Sequence, residues 1–273
     1  MIYINQCPIE INYFPDGTFL LKENVDDWAA NLNTRSVCFE WYFENNAELV
    51  ALQFLAWHFQ EYGMTTRLYM PYIPNARMDR VKNCEDVFTL KYFARIINSI
   101  GFERVTVLDP HSSVSEALID NLKIQEIKSI LQRTIKTIKE QSADLQIVFP
   151  DEGSQKRYRD YLKDMNICWC SKHRDWETGQ IKGLEIHGEL LPCDVLIVDD
   201  ICAYGGSAYY TAQAIKEKQP DVKVYLYVTH CENSVVHGRL GEDKKPLLDT
   251  GLIDGLYTTG DILTERHDKI HLV

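Results

Sequence analysis

Apolar and polar positions along this chain follow two alternating rhythms. Short runs rich in β-branched and aromatic residues read as strands at 37–43, 66–70, 104–108, 145–149, 195–198 and 222–228. Between them lie stretches of helical period. Residues 47–62 set Leu49, Leu52, Phe54 and Leu55 among their apolar positions and stop at Gly63. Residues 90–100 stop at Gly101, and glycine is a frequent helix terminator. Residues 124–140 read as a long polar helix able to link two halves of the molecule. Strand and helix in alternation predict a mainly parallel α/β sheet architecture.

In such sheets, ligands bind just beyond the carboxyl ends of the strands. Polar groups gather at those ends here: Arg77 to Arg80, Asp109 with His111, Asp151, and Asp199 with Asp200. The run Val195-Leu-Ile-Val-Asp-Asp-Ile-Cys-Ala-Tyr-Gly-Gly-Ser207 carries the most chemistry. An apolar strand meets two adjacent acids, then a glycine turn, then a helix expected to begin near Ala208. A helix N-terminus offers N–H groups to phosphate oxygens. Paired acids suit ribose hydroxyls or a hydrated Mg²⁺. Strand-terminal acids also serve as solvated helix caps, so this run alone leaves both readings open.

Composition narrows the class. The 273 residues are 45% hydrophobic and 25% charged, enough for one large domain or two ordinary ones. A net charge of −11 argues against general affinity for nucleic acid or anionic membrane, so cations for a polyphosphate must be local. The eight cysteines contain no Cys-x-x-Cys. Cys168 and Cys170 would share one strand face, as packing residues do. A reduced, cytoplasmic setting is expected. No stretch approaches the ~18 apolar residues of a membrane span, and the first residues lack a basic region followed by an apolar run.

The segment Pro71-Tyr-Ile-Pro-Asn-Ala-Arg-Met-Asp-Arg80 resembles the Pro-Tyr-x-x-x-Ala-Arg-x-Asp-Arg stretch of ribose-phosphate pyrophosphokinases, which make phosphoribosyl pyrophosphate. Other similarities fall in the same order: Phe14-Pro-Asp-Gly17, Asp109-Pro-His111, Pro150-Asp-Glu-Gly153, Lys172-His-Arg174 and Val198-Asp-Asp200. Together they span roughly residues 12 to 260. The resemblance implies two type-I phosphoribosyltransferase-like domains, expected at 1–142 and 143–273, with the site between them. It implies ATP contacts from Phe14, Asp16, Arg77, Asp79 and Arg80, with Phe14 and Asp16 at adenine across a subunit interface. His111 and Asp151 would hold Mg²⁺, and Lys172 and Arg174 would close over the transferring diphosphate with His111. Asp151, Asp199 and Asp200 would face the ribose, and Ala203, Tyr204, Gly205, Gly206 and Ser207 the 5′-phosphate. A dimer or hexamer is expected by the same resemblance.

The sequence also departs from that pattern. Where the resemblance leads one to expect Thr-Ala-Gly-Thr, this chain has Ala203-Tyr-Gly-Gly-Ser207. Met78 and Thr18 stand at further altered positions. A free phosphate dianion is best met by a tight cup of small donors. An aromatic ring is a better neighbour for an esterified phosphate that carries a base. The chain's length and Tyr204 therefore favour, as acceptor, the ADP-ribose used by a shorter type known from phage NAD salvage, with ribose 5-phosphate as the alternative. A type-I phosphoribosyltransferase would need neither the 71–80 segment nor Lys172 and Arg174, and a silent regulatory subunit would tolerate loss of His111, Lys172 or Arg174, all of which are present.

Overall fold

The computed structural model describes residues 1–32, 35–174 and 181–273, and describes side chains outside 29–34 and 172–183. The chain divides into two units, Met1–Glu126 and Ile127–Val273, a division that falls ahead of the expected 142/143 boundary.

In the first unit the strands are β1 (Ile2–Ile4), β2 (Cys7–Pro8), β3 (Asn12–Tyr13), β4 (Phe19–Leu20), β5 (Ser36–Trp41), β6 (Thr65–Tyr69), β7 (Arg104–Leu108) and β8 (Leu122–Gln125). Its helices are α1 (Val25–Leu32), α2 (Ala47–Glu61), α3 (Thr89–Ile100) and α4 (Ser113–Leu118). The main sheet runs β2-β1-β5-β6-β7-β8, and β3 with β4 forms a separate hairpin. From β5 to β8 the strands are parallel. Period-2 burial in β5 sends Val37, Phe39 and Trp41 into the core. In α3, Leu90, Phe93, Ala94, Ile97 and Ile100 form one buried stripe at helical spacing. That helix ends at Gly101, whose φ of +80° suits a residue without a side chain.

The second unit holds β9 (Leu145–Phe149), β10 (Ile167–Arg174), β11 (Ile181–His187), β12 (Asp194–Cys202), β13 (Val224–Cys231), β14 (Gly255–Thr258) and β15 (Ile270–Leu272). Around them lie α5 (Lys128–Lys139), α6 (Glu152–Tyr158) and α7 (Gly206–Lys218). The sheet order is β11-β10-β9-β12-β13-β14-β15, parallel except for β11. Every residue of β9 and β13 is buried, as expected for strands covered on both faces.

Two sequence expectations need correction. Residues 124–140 are not one helix: Leu122-Lys-Ile-Gln125 is a strand, and α5 starts only at Lys128. The alternation of apolar Leu122 and Ile124 with polar neighbours is a period of two, which pairs with β7. The 195–198 strand also extends through both acids to Cys202, because pairing with β13 continues to Cys202 opposite Cys231. Parallel ladder bonds hold the backbone extended whatever the side-chain charge. α7 accordingly begins at Gly206, ahead of Ala208. Among the described residues, no helix is long and apolar enough to cross a membrane.

Candidate active site

In the second unit the candidate acids sit on β12, flanked by β9 and β13. Asp200 is buried, at 5% exposure, and its Oδ2 lies 2.5 Å from the Arg157 guanidinium on α6. Burial works against the charge of Arg157, but Tyr158 and Asp200 outweigh it and hold the group protonated. The same guanidinium lies 5.6 Å from the Tyr158 ring centroid.

Asp199 meets different company. Its Oδ1 lies 2.5 Å from the Ser154 hydroxyl and accepts from the Asp200 N–H at 3.0 Å. Burial first, then the charges of Asp200 and Asp151, push the Asp199 carboxyl up to about 8 against those hydrogen bonds. The two adjacent acids therefore meet different surroundings: Asp200 faces the Arg157 guanidinium, while Asp199 faces the Ser154 hydroxyl and its carboxyl is pushed upward.

Asp151 follows β9 and caps α6. Its Oδ1 accepts from the Ser154 N–H at 3.1 Å and from the Ser154 hydroxyl at 3.2 Å. Ser154 thus joins Asp151 to Asp199. A hydroxyl carries one proton, so a proton on Asp199 would help this crowded set of oxygens to coexist. Sequence reading missed Ser154 and Arg157. Their signal was the capping spacing Asp151-x-x-Ser154, with Arg157 three residues further along the same helix.

Beyond β12 the chain turns through Ala203 and Tyr204. Gly205 has φ +85°, and α7 begins at Gly206, with Ser207 in its first turn. Tyr204 is 60% exposed.

In the first unit, Phe14, Asp16 and Gly17 occupy the turn between β3 and β4. The Phe14 N–H donates to the Thr18 carbonyl at 2.8 Å. The Thr18 N–H and hydroxyl donate to Asp16 Oδ1 at 3.0 and 2.7 Å and hold that carboxyl below its ordinary value. Arg77, Asp79 and Arg80 belong to the loop after β6, which is seated by buried Tyr72, Ile73 and Ala76. Arg77 and Arg80 are exposed, and Arg80 lies 3.6 Å from Asp79. The Leu108 N–H donates to the Pro71 carbonyl at 3.0 Å, tying this loop to the end of β7. Asp109 there is buried with φ +43°, and His111 is half-buried.

Lys172 and Arg174 stand on β10, where their backbones pair with Leu184 and Ile181. Their side chains lie outside the described set, and residues 175–180 lie outside the described residues altogether. The expected metal pair is split: His111 belongs to the first unit and Asp151 to the second. Among the described residues, no group of three or more His, Cys, Asp or Glu side chains gathers as a metal site. The oxygen set of Asp151, Ser154 and Asp199 nevertheless fits a hard divalent cation, and the mutual repulsion that raises Asp199 is what such a cation relieves.

No protein-family profile matches the chain. In sequence it is 30% identical over 168 residues to the ribose-phosphate pyrophosphokinase of Cereibacter sphaeroides, covering 59% of this chain and 48% of that one. The Mycoplasma pneumoniae enzyme of that name is 25% identical over 205 residues, covering 73% and 60%. The Maricaulis maris one is 29% identical over 203 residues, covering 72% and 61%. Over these stretches the chain is similar in sequence to ribose-phosphate pyrophosphokinases. It spans about half to three-fifths of the length of these curated relatives. Its fold is that of a solved phosphoribosylpyrophosphate synthetase from Mycobacterium smegmatis, with a TM-score of 0.75 over 97% of this chain and 85% of that one at 14% identity. The two units are therefore α/β domains with the fold of that synthetase.

Proposed function

We propose that this protein is a Mg²⁺-dependent diphosphotransferase that moves the β,γ-diphosphate of ATP to the anomeric hydroxyl of a 5′-phosphorylated ribose. The hydroxyl oxygen bonds to the β-phosphorus, the bond from that phosphorus to the α-bridging oxygen breaks, and AMP leaves. One observation carries the reading. Asp199 stands on β12, the strand that leads to the Gly205 turn and the N-terminus of α7, and Ser154 in α6 links it to Asp151, the cap of that helix. Oxygen acceptors there suit sugar hydroxyls, and the helix N-terminus suits a phosphate. Similarity in sequence and in fold to the synthetases supports it.

In this reading Phe14, Asp16, Arg77, Asp79 and Arg80 bind ATP. Asp199 and Asp200 orient the ribose, and residues 203–207 hold the 5′-phosphate. Bound Mg²⁺, held by His111 and Asp151, would supply part of the positive charge that the crowded phosphates require. Lys172 and Arg174 add cationic stabilisation where negative charge builds up during transfer. A homo-oligomer, dimer or hexamer, belongs to the same proposal.

The relatives' name fits ribose 5-phosphate as acceptor. A specific observation favours a second reading, ADP-ribose: the exposed ring of Tyr204 flanks the phosphate turn, where a small hydroxyl residue would close round a free phosphate. Incubation with ATP, Mg²⁺ and each acceptor in turn, following AMP, tests both. AMP released with one acceptor only identifies the substrate. AMP released equally with neither acceptor present would refute both readings. Lys172→Ala should lower turnover on the order of a hundredfold or more with the thermal midpoint unchanged. Unaltered turnover would remove Lys172 from the mechanism.

A further inference from the structure

Residues 232–250 follow β13 and contain little regular structure: a 3-10 turn at Asn233–Val236, a single bridge between Leu240 and Lys245, and a 3-10 turn at Leu247–Asp249. Val235, Leu247 and Leu248 are fully buried and anchor the run to the core of the second unit. Asn233, His237, Leu248 and Asp249 contact residues 264–269, and several other contacts meet the turn after β12. The Glu232 N–H donates to the Cys202 carbonyl at 2.8 Å. A β-carbon on Gly205 would lie 2.6 Å from Leu247 Cδ2. One on Gly241 would lie 2.5 Å from the Tyr209 hydroxyl. One on Gly238 would lie 3.0 Å from the Tyr204 carbonyl oxygen and 3.5 Å from Tyr204 Cβ.

These approaches have a common physical meaning. At all three glycines an added β-carbon would crowd a neighbour, so each allows a closer approach than a larger residue would without a shift. The segment therefore abuts the phosphate turn from Cys202 to Tyr209 at several points. Gly238 touches it at the residue that distinguishes this turn. It is buried, and its conformation is one that alanine adopts without strain. The absence of a side chain at 238 thus serves the position of Tyr204, whose ring stays 60% exposed while its backbone is pressed from behind.

We propose that Gly238 is a positioning residue for acceptor specificity. By seating the backbone of Tyr204, it sets where that ring stands at the 5′ side of the bound ribose phosphate. The inference rests on the acceptor site proposed above and adds a determinant outside it. Sub-ångström displacement of a positioning group is enough to change substrate handling without unfolding the site.

The test is Gly238→Ala, which asks the Tyr204 carbonyl to yield by a few tenths of an ångström. Acceptor KM should rise on the order of tenfold, with the KM for ATP unchanged. In a Tyr204→Ala background the same substitution should have no further effect on acceptor KM, since the ring it positions is gone. A purely structural role predicts otherwise: a lower thermal midpoint, unchanged KM values, and additive effects in the double variant. Either unchanged acceptor KM or full additivity overturns the proposal. Calorimetric titration of ribose 5-phosphate and ADP-ribose into each variant reads affinity without turnover. Binding that weakens in Gly238→Ala, in a wild-type protein that releases no AMP, would uphold the positioning role and refute the transferase reading. Equal affinities in the two proteins would refute the positioning role alone.

Discussion

The two units arrange their candidate chemistry in contrasting ways. The first carries Phe14, Arg77 and Arg80 on exposed turns and loops, the 71–80 loop seated by buried neighbours such as Tyr72, Ile73 and Ala76. The second builds Asp199 and Asp200 into a central strand and ties them to one helix through Ser154 and Arg157. Exposed cations can be changed with little effect on folding, because water solvates them in the unfolded chain as well. Buried acids cannot, because each has its own partner. The contrast separates the two kinds of residue: in the first unit a substitution reads function, and in the second it reads function and stability together.

The largest effect should come from Arg157→Ala. Removing it leaves Asp200 buried without its cation, a loss of about 3 kcal/mol in urea denaturation, whereas Arg77→Ala should stay within about 0.5 kcal/mol. Equal costs for the two would erase the distinction drawn here. Next comes Gly205→Ala, expected to lose about 2 kcal/mol. It sets a side chain at φ +85° and within 2.6 Å of Leu247. A variant as stable as the parent would show that the turn can rearrange.

A smaller effect concerns pH. The Asp199 carboxyl is raised from an ordinary 3.8 to about 8 in the folded protein, so the folded state holds a proton there that the unfolded chain releases. Its contribution to stability is complete below about pH 4 and is lost as pH rises toward about 8. Asp199→Asn should flatten this slope across that window, as read from thermal midpoints in a series of buffers. An unchanged slope would assign the pH dependence to other groups. The smallest effect on folding should be that of Gly206→Ala. A β-carbon at that position meets nothing within 4 Å, and an extra methyl in a helix favours folding by about 0.5–1 kcal/mol. The same methyl would occupy the space of a bound phosphate, so affinity for the acceptor should fall at least tenfold by calorimetry while stability rises. Undiminished affinity would move the phosphate away from Gly206.

Neighbouring glycines with opposite expected outcomes show how the site was and was not legible. The alternation of strand and helix predicted the parallel sheets, and the positions of Asp109 and Asp151 just beyond strand ends followed from it. The order of six short motifs resembles that of the pyrophosphokinases. Strand ends were less readable. An acid after four aliphatic residues looks like a terminus, yet β12 runs on to Cys202 because β13 lies alongside. Pattern along one strand carries no record of its neighbour. The polar helix expected at 124–140 failed for a related reason, since Ile124 is claimed by pairing with β7.

What the sequence determined by itself was the class of fold, the set of chemical groups and the order in which they occur, because period and residue type are local properties. Only the tertiary structure decided that Asp200 belongs to Arg157 and Asp199 to Ser154, and that Gly238 sits behind Tyr204. Those pairings join residues far apart along the chain. Their consequences, a guanidinium held beside one acid and a carboxyl raised above its ordinary range on the other, arise from burial and proximity, which exist only once the chain has folded.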